Sequence, residues 1–105
     1  MRPMPKETNF RSPKLLALAK HCPRCMWCEA LNQGDVVGCH SNSQSMGKGT
    51  GYKAHDVPAY LCYQCHALVD GREGHFTREF REDAWRRAAL KSIVWLLSEG
   101  HLVVT

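Results

Sequence analysis

The residues of this chain best suited to chemistry are its cysteines and histidines, and they are clustered. Leu61-Cys62-Tyr63-Gln64-Cys65-His66 contains a Cys-x-x-Cys pair followed at once by histidine. Upstream, Cys22-Pro23-Arg24-Cys25-Met26-Trp27-Cys28 offers three more thiols. A Cys-x-x-Cys bend turns two sulfurs inward, so two such pairs supply the four thiolates that tetrahedral zinc requires. Cys62 and Cys65 form one half. The other half is any two of Cys22, Cys25 and Cys28, since both Cys22/Cys25 and Cys25/Cys28 have the two-residue spacing. His66, one residue past a ligand, is either a surface residue or a reactive group held rigid by the metal.

The elements that position these groups follow from the intervening sequence. Pro13 to Lys20 read as a short helix, with proline near its start, where a missing N–H costs little. Asn32 to Asp35 signal a turn, and Val36-Val37 begin a short strand that runs into Cys39, His40, Ser41 and Asn42. Residues 43–53 alternate Gly47, Gly49 and Gly51 with Lys48, Thr50 and Tyr52, a loop that is either a flexible connector or a phosphate cradle of backbone N–H groups and lysines. It lacks the Gly-x₄-Gly-Lys-Ser/Thr order of a Walker loop. An apolar approach over 57–61 leads to the second cysteine pair, and Ala67 to Val69 fit a short helix closed by Gly71. Thr77 caps a final helix whose apolar stripe is Phe80, Ala84, Trp85, Ala88, Ala89, Ile93, Leu96 and Leu97. Gly100 ends it, and residues 101–105 form a short strand or tail.

At 105 residues the chain is read as one domain over 14–105, preceded by a proline-containing extended arm over 1–13 that either docks through Phe10 or stays mobile. A core this small benefits from a structural metal. No apolar run reaches membrane-spanning length and the N-terminus has no export-type apolar segment, so a cytoplasmic protein without membrane contact is expected and a secreted disulfide scaffold is disfavoured. The formal net charge is +4, and four thiolates around one Zn²⁺ lower it to about +2. That excess suits nucleic acid and equally suits an ordinary solvated surface.

The ordered set of motifs resembles the HNH (His-Me finger) endonucleases. It is most similar to the YbcO-like phage and prophage nucleases and to the RecA-dependent phage nuclease Ref. The resemblance runs over about residues 10–100. It is carried by Phe10-Arg11-Ser12, the first cysteine cluster, Val36 to Asn42, Gly47 to Asp56, Leu61 to His66 and Val69-Asp70.

The resemblance implies an α+β fold, a small zinc-stabilised ββα (His-Me finger) core with flanking N-terminal and C-terminal helices. It implies metal-dependent hydrolysis of DNA phosphodiesters in a bacterial host cell, in recombination or DNA processing, with a recombinase filament as one candidate partner. His40 would be the general base, and His66 would hold a catalytic Mg²⁺ or Mn²⁺. Asn42 or Asp56 would orient His40 or supply an oxygen ligand, with His55 a weaker candidate. Cys25 and Cys28 fit the family spacing slightly better than sets that include Cys22. Lys48 and Lys53 would contact DNA. Cys39 stands where many HNH enzymes carry a metal-binding acid, and it is a poor Mg²⁺ ligand. A non-catalytic, zinc-stabilised DNA-binding accessory or adaptor module is the alternative.

Overall fold

A computed structural model describes residues 9–104. It is a small α+β structure with three helices and one two-stranded antiparallel sheet. The elements are α1 (Pro13–Ala17), β1 (Val36–Cys39), β2 (Ala59–Cys62), α2 (Tyr63–Val69) and α3 (Arg78–Ser98), with 3₁₀ turns at Leu18–His21 and Gln44–Met46. Strand register pairs Val36 with Cys62, Val37 with Leu61, Gly38 with Tyr60 and Cys39 with Ala59. The expected arm over residues 1–13 lies outside the described residues as far as residue 8.

Capping chemistry sets the helix boundaries. The Ser12 hydroxyl accepts from Leu15 N–H (3.1 Å), and Pro13 opens α1. The Thr77 hydroxyl accepts from Phe80 N–H (3.1 Å) at the start of α3. Helix α2 begins at Tyr63, earlier than the expected Ala67, because β2 passes straight into it at Cys62. Cys65 and His66 are thus helical, and helical spacing governs what His66 meets. Gly71 follows α2 with φ 76°, a left-handed conformation that strains any residue with a Cβ. Of the strand or tail expected over 101–105, the described residues form no strand. Instead His101 and Leu102 N–H both turn back to the Leu96 carbonyl.

The core lies between the sheet and α3. Leu61, Ala59, Ala84, Trp85, Ala88 and Ala89 are buried on the cysteine side. Cys22, Val36, Tyr60 and Leu96 form a second cluster with Ala19. The expected stripe on α3 is corrected at three positions: Phe80 and Leu97 are exposed, and Ser92 is fully buried. Ser92 Oγ donates to Ala88 O and accepts from Tyr60 N–H (2.9 Å), which satisfies a polar group that helix periodicity does not flag. Tyr60 ties four parts of the chain together. Its hydroxyl donates to Leu15 O (2.6 Å), its carbonyl accepts from Met26 N–H, its amide meets Ser92, and its ring meets Trp95 edge-on at 5.8 Å.

Candidate functional site

The first cluster is built by a tight turn and a strand-to-helix junction. Arg24 and Leu31 form an isolated antiparallel bridge, Cys25 N–H donates to Ala30 O, and Glu29 takes φ 65° to close the turn. This turns Cys25 and Cys28 toward Cys62, the residue capping α2, and Cys65 in its first turn. The four sulfurs lie within 4.8 Å of one another, with Cys28 and Cys62 3.9 Å apart. Zinc–sulfur bonds of about 2.3 Å in a tetrahedron put sulfurs about 3.8 Å apart. The set is therefore compatible with a structural metal such as zinc. Burial raises the Cys25 thiol, but N–H groups around it, including those of Cys28 and Trp27, outweigh burial and bring it down to about 7. Such N–H···S bonds favour the thiolate.

Cys22 does not join this set. It is buried in the other cluster beside Tyr60 and Leu96, with its thiol on the Arg24 carbonyl at 3.2 Å. Asn32 fixes it there by donating to the Cys22 and Ala19 carbonyls.

His40 directly follows β1, and its Nε2 lies 2.6 Å from Asp56 Oδ1. Asp56 is buried and held on both oxygens: Arg11 Nη1 sits 3.2 Å from Oδ1, and Ser12 N–H donates to Oδ2 at 2.7 Å. The chain over 9–12 is laced to the glycine-rich segment. Asn9 donates to the Gly47 and Lys53 carbonyls, Arg11 to those of Lys53 and Ala54, and Phe10 N–H to His55 Nδ1. Docking here runs through Asn9, Arg11, Ser12 and the backbone of Phe10, whose carbonyl accepts from Asp56 N–H, while the Phe10 ring is half exposed. His55 Nδ1 thus accepts a hydrogen bond from the arm.

Burial pushes the Asp56 carboxyl up, yet the His40 and Ser12 hydrogen bonds and the Arg11 charge carry it below the ordinary carboxylate value. The sign follows. A depressed carboxylate contributes stability that is fully present above its unfolded pKa of about 3.9 and is lost as pH falls through the lower folded value. Asp56→Asn is expected to cost about 1–3 kcal/mol at neutral pH, because His40, Arg11 and Ser12 lose a charged acceptor. Thermal melts below about pH 4 should fall less steeply for the variant than for the unaltered chain. Equal acid slopes would show that Asp56 is not held this way.

Asn42 serves the other histidine. Its Nδ2 donates to Asp70 Oδ1 (2.9 Å), while His66 Nε2 lies 3.1 Å from Asp70 Oδ2, one helical turn along. Asp70 is thus the residue that sequence reasoning left without a role. Once α2 is seen to begin at Tyr63, the i,i+4 spacing from His66 reveals it. Burial raises Asp70, but His66, Asn42 and Arg72 lower it further than burial lifts it. Cys39 completes this cluster, with the thiol, an imidazole nitrogen and a carboxylate oxygen mutually within 4.8 Å. Trp85 Nε1 donates to the Cys39 carbonyl (2.8 Å) and fixes that backbone. Mg²⁺ and Mn²⁺ favour oxygen shells. Only Asp70 of these three donors supplies an oxygen, so the set fits either ion poorly.

A cleft of about 250 Å³ opens beside Asp70, lined also by Ser41, Asn42, Arg78, Arg81 and Trp85. It continues past Asn42 and Arg78 into a groove of about 620 Å³ along Lys48 and Gly49 to Gly51. Arg81 Nε is buried there without a hydrogen-bond partner among the described residues. Lys48 lines the groove, whereas the Lys53 side chain is exposed outside its lining and its carbonyl holds the arm. No helix among the described residues is long and apolar enough to cross a membrane. The chain matches no protein-family model, no curated protein and no solved structure, so the site is read from its own geometry.

Proposed function

We propose that this chain is a zinc-stapled DNA endonuclease of the His-Me finger type, with β1, β2 and α2 as its ββα unit. One observation carries the reading. A histidine backed by a buried carboxylate leaves β1, and a second histidine–carboxylate pair stands on α2 beside a cleft that Arg78 and Arg81 line together with Glu82. Hydrolysis of a phosphodiester needs a base for water and positive charge for the phosphate. With Nε2–H donating to Asp56, His40 keeps its lone pair on Nδ1, and the carboxylate stabilises the imidazolium that forms. Asp56 is thereby the positioning residue for His40. Arg78 and Arg81 in the cleft and Lys48 in the groove supply the phosphate-facing charge, three cations against the Glu82 carboxylate that lines both. Zinc in the Cys25, Cys28, Cys62 and Cys65 set holds the strand-to-helix junction from which His66 projects.

The test is nicking of supercoiled plasmid with Mg²⁺, Mn²⁺ or Zn²⁺ added, read as conversion to open circles. Cys39 in the position of the family acid favours a second reading, a DNA-binding accessory module. Tight DNA binding with no nicking under any of these ions would support that module and overturn the nuclease.

Contacts through this groove would be to phosphates, so binding should be salt-dependent and indifferent to sequence. Each phosphate neutralised adds about −0.9 to the log–log salt slope on duplex DNA. A Lys48→Ala, Arg78→Ala double variant should flatten that slope by up to about 2, with similar losses on unrelated sequences. An unchanged slope would place the DNA on another face.

A further inference from the structure

We propose that the outer face of α3 is the contact surface of a homodimer, on which a second copy of this chain packs its own α3 antiparallel. This face shares no residue with the two histidine sites, so the dimer does not depend on the nuclease reading.

Helix α3 is apolar on two opposite sides. Its inner side, with Ala88, Ala89, Ser92 and Leu96 buried, covers the core. Its outer side carries Phe80, Leu90, Val94 and Leu97, which are 42%, 65%, 62% and 46% exposed. A helix that only covers a core has polar residues there. Positions 80, 83, 87, 90, 94 and 97 recur at alternating intervals of three and four, the spacing by which two helices interlock side chains along a seam. Phe76 stacks on Phe80 at 4.8 Å and widens the patch at that end.

Size and charge choose the occupant. Four large side chains exposed to this extent leave on the order of 400 Å² per copy, as much as a monomer ordinarily shows to water in one patch. A pairing that covers two such patches and their rims reaches the low end of specific interfaces, about 1,200 Å² in total. The seam is also self-complementary. Centred at the level of Ser92, an antiparallel pairing sets Leu90 against Val94 of the second copy and Val94 against its Leu90, the reciprocity that a twofold axis requires. Asp83 and Arg87, paired at 2.8 Å, put charge into the seam. A parallel pairing would set Arg87 against Arg87. The antiparallel one sets it against Leu97, beside a last helical turn that bears no basic residue and where the helix dipole is negative. On the flank, Lys91 and Glu29 stand 3.8 Å apart, so each copy offers the other charges of both signs.

The experiment is sedimentation velocity on the full chain as purified, over roughly 1–100 μM, the range in which a small interface dissociates. The unaltered chain should pass from monomer mass to twice that mass as concentration rises. Val94→Glu, at an exposed position, should stay monomeric throughout, with circular dichroism and zinc content unchanged, and Leu90→Glu should repeat that result one turn away. Arg87→Gln should weaken dimerisation about 3- to 30-fold, since each dimer holds two such contacts to a helix end. Monomer mass at every concentration would overturn the dimer, as would dimers that persist in both glutamate variants. A dimer tightened by Arg87→Gln would overturn the antiparallel pairing, because that sign belongs to arginines facing each other. Plasmid nicking on the same preparations separates the two readings. A dimer that does not nick keeps this face and removes the nuclease, and a monomer that nicks does the reverse.

Discussion

Cys62→Ser is expected to remove the metal and the fold together. Cys62 ends β2 opposite Val36, caps α2 and places its sulfur 3.9 Å from Cys28. The substitution therefore removes one of the four sulfurs at the junction of sheet and helix while leaving the backbone pairing and the cap position in place. Structural zinc contributes about 10–16 kcal/mol in small zinc-binding peptides, and whole-domain stabilities are about 5–15 kcal/mol. Loss of one ligand thus consumes most or all of the margin of a 105-residue chain. Elemental analysis with circular dichroism checks it: the variant should carry no zinc and show an unfolded spectrum. A chelator strong enough to strip the unaltered chain should do the same. Metal-free protein with native dispersion of its resonances would overturn zinc as the staple.

His40→Ala is expected to abolish cleavage while leaving the zinc and the DNA affinity nearly unchanged. Loss of a general base lowers rates by about 10²–10⁴-fold. The substitution is cheap for the fold, because Asp56 keeps Arg11 and Ser12 N–H when the imidazole goes. The check is the nicking rate of the variant beside the unaltered chain, with zinc content and binding isotherms measured on the same preparations. If the variant cuts at the unaltered rate, the base is another residue.

The parts of this fold that obey local rules were legible. Thr77 caps α3, Pro13 opens α1, and the turn before Val36 leads into a strand, each because the deciding contacts lie within a few residues. Cys62 and Cys65 could be paired for the same reason. Choosing among Cys22, Cys25 and Cys28 could not be done from spacing, since two pairings have the same interval. The choice rests on Glu29 in the left-handed region and on Asn32 clamping the Cys22 backbone. Asn42 and Asp56 stayed interchangeable because each partner is fixed at long range, Asp70 for one and His40 for the other. Ser92 was invisible for a similar reason: a serine in a helix looks solvent-facing until a strand amide arrives to meet it. Residues 9–12 read as an arm that either docks through Phe10 or stays mobile, because their contact with Asp56 spans 44 and 45 positions.

Tyr60 gives the molecule a single point of failure in time as well as in space. Its amide is bonded to a buried hydroxyl on α3, its carbonyl to the cysteine turn, and its phenol to α1. None of these segments can swing away without breaking its own bond to Tyr60. Partial openings, which in many proteins let hydrogen exchange sample one subregion at a time, have little to work with here. The interior should breathe as one cooperative unit. The slowest amides then report the same event as release of the structural metal, and the histidines stay in register for as long as that unit stays closed.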